Sequence, residues 1–234
     1  MSIGDAEIKT QERVVRFFKD PEILGYQYIG NLSDQQNKNI KEDRLRQYLR
    51  LKGYADKLID GAITQLQQES GNLSRGLYDA NKTVYSRLKY GIPVSESPEK
   101  PPVTVQLIDE ENPLNNDFAI AEEVTVVEQS EKRPDLVVYL NGVAVAVIEL
   151  KRSSISVSEG IRQNLTNQKN TFIQSFFSTM QFCMAGNESE GLRYGTLLTG
   201  EKFYMEWKDD GFKEHEEERD PVDVRISEKC ADIE

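Results

Sequence analysis

Asp135, Glu149 and Lys151 are the residues whose types and spacing best suit chemistry. Asp135 opens one apolar run, Glu149 and Lys151 close a second, and Asn141-Gly142 lies between the runs. Residues two apart on a strand point to one face, so Glu149 and Lys151 look the same way. Two carboxylates and an amine beside buried strands are costly unless something uses them. A divalent cation would. Mg2+ takes oxygen from one or two carboxylates, keeps several waters and accepts phosphate oxygens. The chemistry within reach is hydrolysis of a phosphodiester, which needs an activated water and neutralisation of charge building on the phosphate. Asp135, Glu149 and the main-chain carbonyl of Leu150 would hold the ion. Lys151 would position the attacking water and stabilise negative charge. The competing reading is two strand ends meeting solvent with an ion pair, because D-x13-E-x-K is a common chance pattern.

Whether the acids meet is a question of register. A strict two-residue turn at Asn141-Gly142 pairs Leu140 with Val143. Asp135 then stands opposite Ile148, and Glu149 faces away. A three-residue loop of Leu140, Asn141 and a left-handed Gly142 pairs Tyr139 with Val143 instead. Asp135 then pairs with Val147, and Glu149 becomes its diagonal neighbour, about 7–8 Å away in Cα. The expectation is that loop with its bulge, or an equivalent bulge elsewhere in the hairpin.

The surrounding elements must supply this geometry. Strands are expected at 102–108, 123–129, 134–140 and 143–150, the last two apolar at both parities and so covered on both faces. Helices are expected at 5–19, 42–51, 56–68 and 75–89, with Ser74 as N-cap of the last, and residues 20–40 as loop. Ser156-Val-Ser-Glu159 has capping-box spacing ahead of a long helix over 158–184. Strands 193–199 and 202–207 would form a hairpin at Thr199-Gly200. The fold class is α/β: a central mixed sheet flanked by helices, with an N-terminal helical extension. Residues 1–100 would form that extension, 101–208 the core and 209–234 an acidic tail or linker.

The chain has 234 residues, two cysteines, one histidine and a net charge of −11. With so few cysteines there is no disulfide framework, which suits a reducing cytoplasm. A lone histidine in the acidic tail argues against a His-based triad or zinc site. No run approaches the ~20 apolar residues of a membrane span. The acidic balance argues against a protein that wraps nucleic acid by itself, so neighbours would supply positive surface. Gly195 to Lys202 imitates a phosphate-binding loop but lacks its Gly-Lys-Ser/Thr ending.

The stretch R133-P-D-L-V-V-Y-L-N-G-V-A-V-A-V-I-E-L-K151 resembles the nuclease core of the PD-(D/E)XK superfamily. It is similar, more closely, to the N-terminal nuclease region of the R (restriction) subunit of type I restriction-modification enzymes. N115-N-D-F-A-I-A-E-E-V-T-V before it and G160-I-R-Q-N-L-T-N-Q168 after it extend the likeness over residues 100–207. The resemblance implies a Mg2+-dependent endonuclease cutting double-stranded DNA. Asp135 and Glu149 would be metal ligands and Lys151 the catalytic lysine. The family's Gln-x3-Tyr motif places Gln163 in the site, but Asn167 stands where the tyrosine would. Superfamily members often add an acid from the first helix, for which Glu12 is the first candidate and Glu7 the second.

Gln163, Asn167, Asn170 and Gln174 recur at helical spacing, as a solvated polar face or as an amide ladder on the DNA backbone. Arg152, Arg162 and Lys169 are candidate phosphate contacts or solvated charges. The resemblance further implies modification and specificity subunits as partners. ATP and S-adenosylmethionine would be used by other parts of the complex, and this chain would be a fragment lacking the translocase. Alternatives are another nuclease of the superfamily, or a non-catalytic DNA- or partner-binding module of the same fold.

Overall fold

The computed structural model describes residues 3–97 and 99–208, with side chains from Ile8 onward. The four expected helical stripes fold into α1 (Ile3–Lys19), α2 (Glu42–Leu51), α3 (Asp56–Gly71) and α4 (Leu77–Tyr90). On α3, Leu58, Ile59, Ala62, Ile63 and Leu66 are all buried, the apolar stripe expected of an amphipathic helix. Ser74 does not cap α4. Gly76 occupies that position, and the Ser74 hydroxyl bonds Asn72 Oδ1 at 2.7 Å.

Seven strands make one mixed sheet: β1 (Gln27–Asn31), β2 (Phe118–Glu122), β3 (Leu136–Leu140), β4 (Val143–Leu150), β5 (Phe182–Asn187), β6 (Gly191–Gly195) and β7 (Met205–Glu206), in that spatial order. The β1/β2 and β4/β5 pairs are parallel and the others antiparallel. Three expectations are corrected here. β1 lies inside the segment read as loop, so residues before 100 contribute a strand to the central sheet. The expected strand 123–129 is displaced to Phe118–Glu122, leaving only Val126–Val127 in a ribbon with Glu131–Lys132. The expected strand 102–108 shrinks to Val103–Val105, which pairs with Ile92–Val94 outside the sheet.

The long helix over 158–184 is also corrected. Helix α5 spans only Val157–Asn167, a 3-10 turn follows at Gln174–Thr179, and Phe182 begins β5. The expected hairpin around Thr199-Gly200 forms with shorter strands, β6 pairing antiparallel with β7 across the 196–204 connection, and β6 also pairs with β5 through a turn at Glu188–Glu190. The Ser156 N-cap stands, its hydroxyl accepting from Ser158 N at 3.3 Å. Gly195 to Lys202 runs from the end of β6 into a 3-10 turn, so no helix follows it to cradle phosphate.

One sheet face carries Ile120, Leu136, Val138, Ala146, Ile148 and Leu150 against α1. The other carries Ala121, Val137, Tyr139, Ala144 and Val147 against Phe176, Phe177 and Leu77 of α4. A third cluster joins α2, α3 and α4 to Val143 at the turn end of the β3–β4 hairpin.

Candidate active site

The hairpin turn has two residues, Asn141 (φ 51°) and Gly142 (φ 84°), with Leu140 opposite Val143. Positive φ at both central positions is the turn whose twist matches paired strands. The expected three-residue loop is therefore not formed. The bulge lies further along, because Tyr139 pairs with Ala144 but Val138 pairs with Ala146, leaving Val145 as the extra residue. Past the bulge Leu136 faces Ile148, and continuing this register sets Asp135 across from Glu149. This is the equivalent bulge that a shared face requires.

The turn is buried under the helical extension. Asn141 Oδ1 accepts from Asp117 N (2.7 Å) while its Nδ2 donates to Leu107 O (2.8 Å). Lys41 N donates to Gly142 O at 2.7 Å, and a Cβ on Gly142 would come within 2.7 Å of Leu45 N and Lys41 O.

At the other end of the hairpin the charged groups converge. Asp135 Oδ2 accepts from the main-chain N–H of Leu150 at 2.7 Å. Lys151 Nζ stands 3.9 Å from Asp135 Oδ2 and 3.9 Å from Glu149 Oε2, and donates to Leu150 O at 3.0 Å. Gln163 of α5 donates its amide to Glu149 Oε2 at 2.6 Å. Gly160 lets α5 approach, since a Cβ there would lie 3.5 Å from Glu149 Cβ and 2.9 Å from Ala185 Cβ.

Glu149 is fully buried, and its Oε1 has no hydrogen-bond partner among the described residues. Burial pushes its pKa well above the ordinary carboxylate range. Asp135 adds to the rise, Lys151 opposes it, and Glu123 contributes a further push upward. An unpaired oxygen on a buried carboxylate is costly in isolation and well suited to a hard cation. The donor set fits Mg2+, with two carboxylates and the Leu150 carbonyl beside them. Among the described residues no group of three or more His, Cys, Asp or Glu side chains gathers to hold a metal.

The remaining site expectations divide. Glu12 is exposed on α1, and its neighbour Gln11 is what reaches this end of the sheet, donating to Glu123 (3.2 Å) and Glu122 (3.4 Å). The Glu7 side chain lies outside the described residues, as does the 209–234 segment. Asn167 is 1% exposed at the end of α5, so it offers no surface to DNA. Asn170 and Gln174 fall beyond that helix, so the four-amide ladder does not exist. Arg162 is held by Glu201 (2.8 and 2.9 Å) and Glu159 (2.7 Å). Arg152 is half-buried and Lys169 exposed.

Glu123 was missed. It sits at φ 52°, uncommon for a residue with a side chain. Its N–H donates to Asp135 O at 2.8 Å, and Arg133 Nε lies 2.8 Å from its Oε2. It thereby fixes the backbone that carries Asp135. Its only sequence signal was a second acid after Glu122.

A sequence profile for the type I restriction enzyme R protein N terminus matches residues 9–203. The chain belongs to this family. A protein of Methanocaldococcus jannaschii, provisionally named the type I restriction enzyme MjaIXP endonuclease subunit, is 29% identical over 137 residues. That match covers 54% of this chain and 13% of the relative. No helix among the described residues is long and apolar enough to cross a membrane.

Proposed function

We propose that this chain is the Mg2+-dependent nuclease domain of a type I restriction enzyme R subunit, cutting DNA phosphodiesters. The observation that carries the reading is the buried, half-satisfied Glu149 carboxylate facing Asp135 and Lys151. Asp135, Glu149 and the Leu150 carbonyl hold the cation. When bound, Mg2+ supplies positive charge against the phosphate and favours deprotonation of water. Lys151 Nζ, 3.9 Å from both acids, orients the attacking water and faces the negative charge of the reacting phosphate. Gln163 acts through Glu149, holding its carboxylate in one orientation. Lys169 and Arg152 remain candidate phosphate contacts, whereas Arg162 is committed to its acidic partners. Modification and specificity subunits complete the assembly. ATP and S-adenosylmethionine serve other parts of it.

The test is DNA cleavage by the reconstituted complex carrying Asp135→Ala, Glu149→Ala or Lys151→Ala, with ATP-driven translocation followed in parallel. Cleavage is expected to fall at least ~100-fold in each variant while translocation persists. Cleavage retained by Lys151→Ala would defeat the mechanism.

A further inference from the structure

The outward face of α4 has an unusual make-up. Tyr78, Lys82, Tyr85 and Lys89 recur at i, i+4, i+7 and i+11, which is one stripe of a helix. All four are exposed, Tyr78 by 61% and Tyr85 by 48%, and Tyr90 at the helix end by 66%. Among the described residues neither lysine has an ion-pair partner, and Lys89 only lies over the ring of Tyr90 at 5.6 Å. Between Arg75 and Tyr90 the chain carries four cations against one acid, Asp79. Asp79 is matched to Arg75 at 3.1 Å, and Arg87 is bound to Glu69 at 2.7 and 2.8 Å. Lys82 and Lys89 are therefore the uncommitted charges, on a chain whose net charge is −11.

We propose that this stripe is a second contact surface for the phosphate backbone of duplex DNA. The inference rests on the reading of the chain as a DNA-cleaving domain. Charge complementarity selects the occupant: two free ammonium groups seven residues apart stand about 10 Å from one another along the helix, facing a polyanion with one charge per ~1.7 Å. The Tyr85 hydroxyl between them and the Tyr78 hydroxyl one turn before Lys82 are phosphate donors as well. The stripe lies on the Glu149 side of the sheet. Leu77 of α4 packs in the cluster that holds Val147, and Asn81 Nδ2 fixes α4 to Ser178 O (3.0 Å) and Met180 O (2.8 Å). Val84 and Leu88 of α4 pack in the cluster that reaches Val143 at the turn end of the hairpin, so the stripe would meet the duplex apart from the catalytic end.

The test is a fluorescence-anisotropy titration of a labelled duplex with the 234-residue chain, over a salt series in EDTA. Lys82→Ala/Lys89→Ala is expected to weaken binding several-fold at low salt and to lower the slope of log K against log salt by about 2. Tyr78→Phe/Tyr85→Phe, which keeps the rings, is expected to weaken binding less and leave the slope unchanged. Both variants alter exposed side chains, and an unchanged melting temperature confirms their fold. Unchanged affinity and slope in the double-lysine variant would overturn the proposal and leave the stripe to a protein subunit. No binding by the parent chain at low salt would overturn it as well. The titration proceeds without catalysis, so failure of the catalytic reading would not register here.

Discussion

Replacing Glu149 with glutamine tests the electrostatics of the site without DNA. The folded carboxyl binds its proton more tightly than the unfolded one, because it is buried beside Asp135. In the window above the ordinary value of 4.5 and below the raised folded one, the native state holds the extra proton. Stability therefore falls as pH rises through that window, at up to about 1.4 kcal/mol per pH unit. Below the window both states are protonated and nothing is lost. Above it the full cost persists. The amide of the Glu149→Gln variant cannot ionise, yet its carbonyl can still accept from the Gln163 amide, which reaches Glu149 Oε2 at 2.6 Å. In EDTA the melting temperature of Glu149→Gln should pull ahead of the parent by about 3–5 °C per pH unit across the window, for a domain of this size. A constant offset is absorbed by the comparison, so the slope is the measurement. Mn2+ should then stabilise the parent, by about 2.7 kcal/mol at a hundred times its dissociation constant, and leave the variant unmoved. Melting curves that run parallel at every pH would refute the buried-acid argument.

Three further outcomes follow from the same geometry. Gln163→Ala removes the amide donor from a buried carboxylate and should cost about 1.5–3 kcal/mol in urea unfolding. Gly142→Ala forces a Cβ into left-handed backbone against Leu45 N and Lys41 O, and should cost about 2–5 kcal/mol by the same measurement. Arg162→Ala should leave DNA affinity unchanged by anisotropy, because Glu201 and Glu159 already hold the guanidinium.

The apolar runs around Asp135 and Glu149 were legible because strands covered on both faces are continuously hydrophobic. The first four helices were legible because their apolar residues repeat at helical spacing, and glycines close α2, α3 and α4. The segment after α5 misled because Leu165, Phe172, Phe176 and Met180 also fit helical spacing. There the chain instead turns back, with Phe172 N bonding Lys169 O and Ile173 N bonding Asn167 O. Phe176 and Phe177 are then both buried, which the expected one-sided stripe did not anticipate. β1 was invisible because a five-residue edge strand with half-buried centre carries little pattern. Of the candidate site, strand parity set Glu149 and Lys151 on one face, Asp135 joins that face through a bulge placed elsewhere than the favoured loop, and Gln163 came from the resemblance. Asn167 looked like a surface amide only because helix spacing extended past the point where the helix stops. Glu123 depends on a backbone angle that no side-chain pattern reveals.

Val145 is a supernumerary link in the ladder between the two acids. Excise it and straighten the strand, and Asp135 still looks across at the same glutamate, with twelve residues between them instead of thirteen. Chain distance between such acids is thus elastic by one, and a search that insists on a fixed interval would discard homologues whose pockets superimpose. What must be conserved is the even-or-odd count that remains once every bulge has been subtracted.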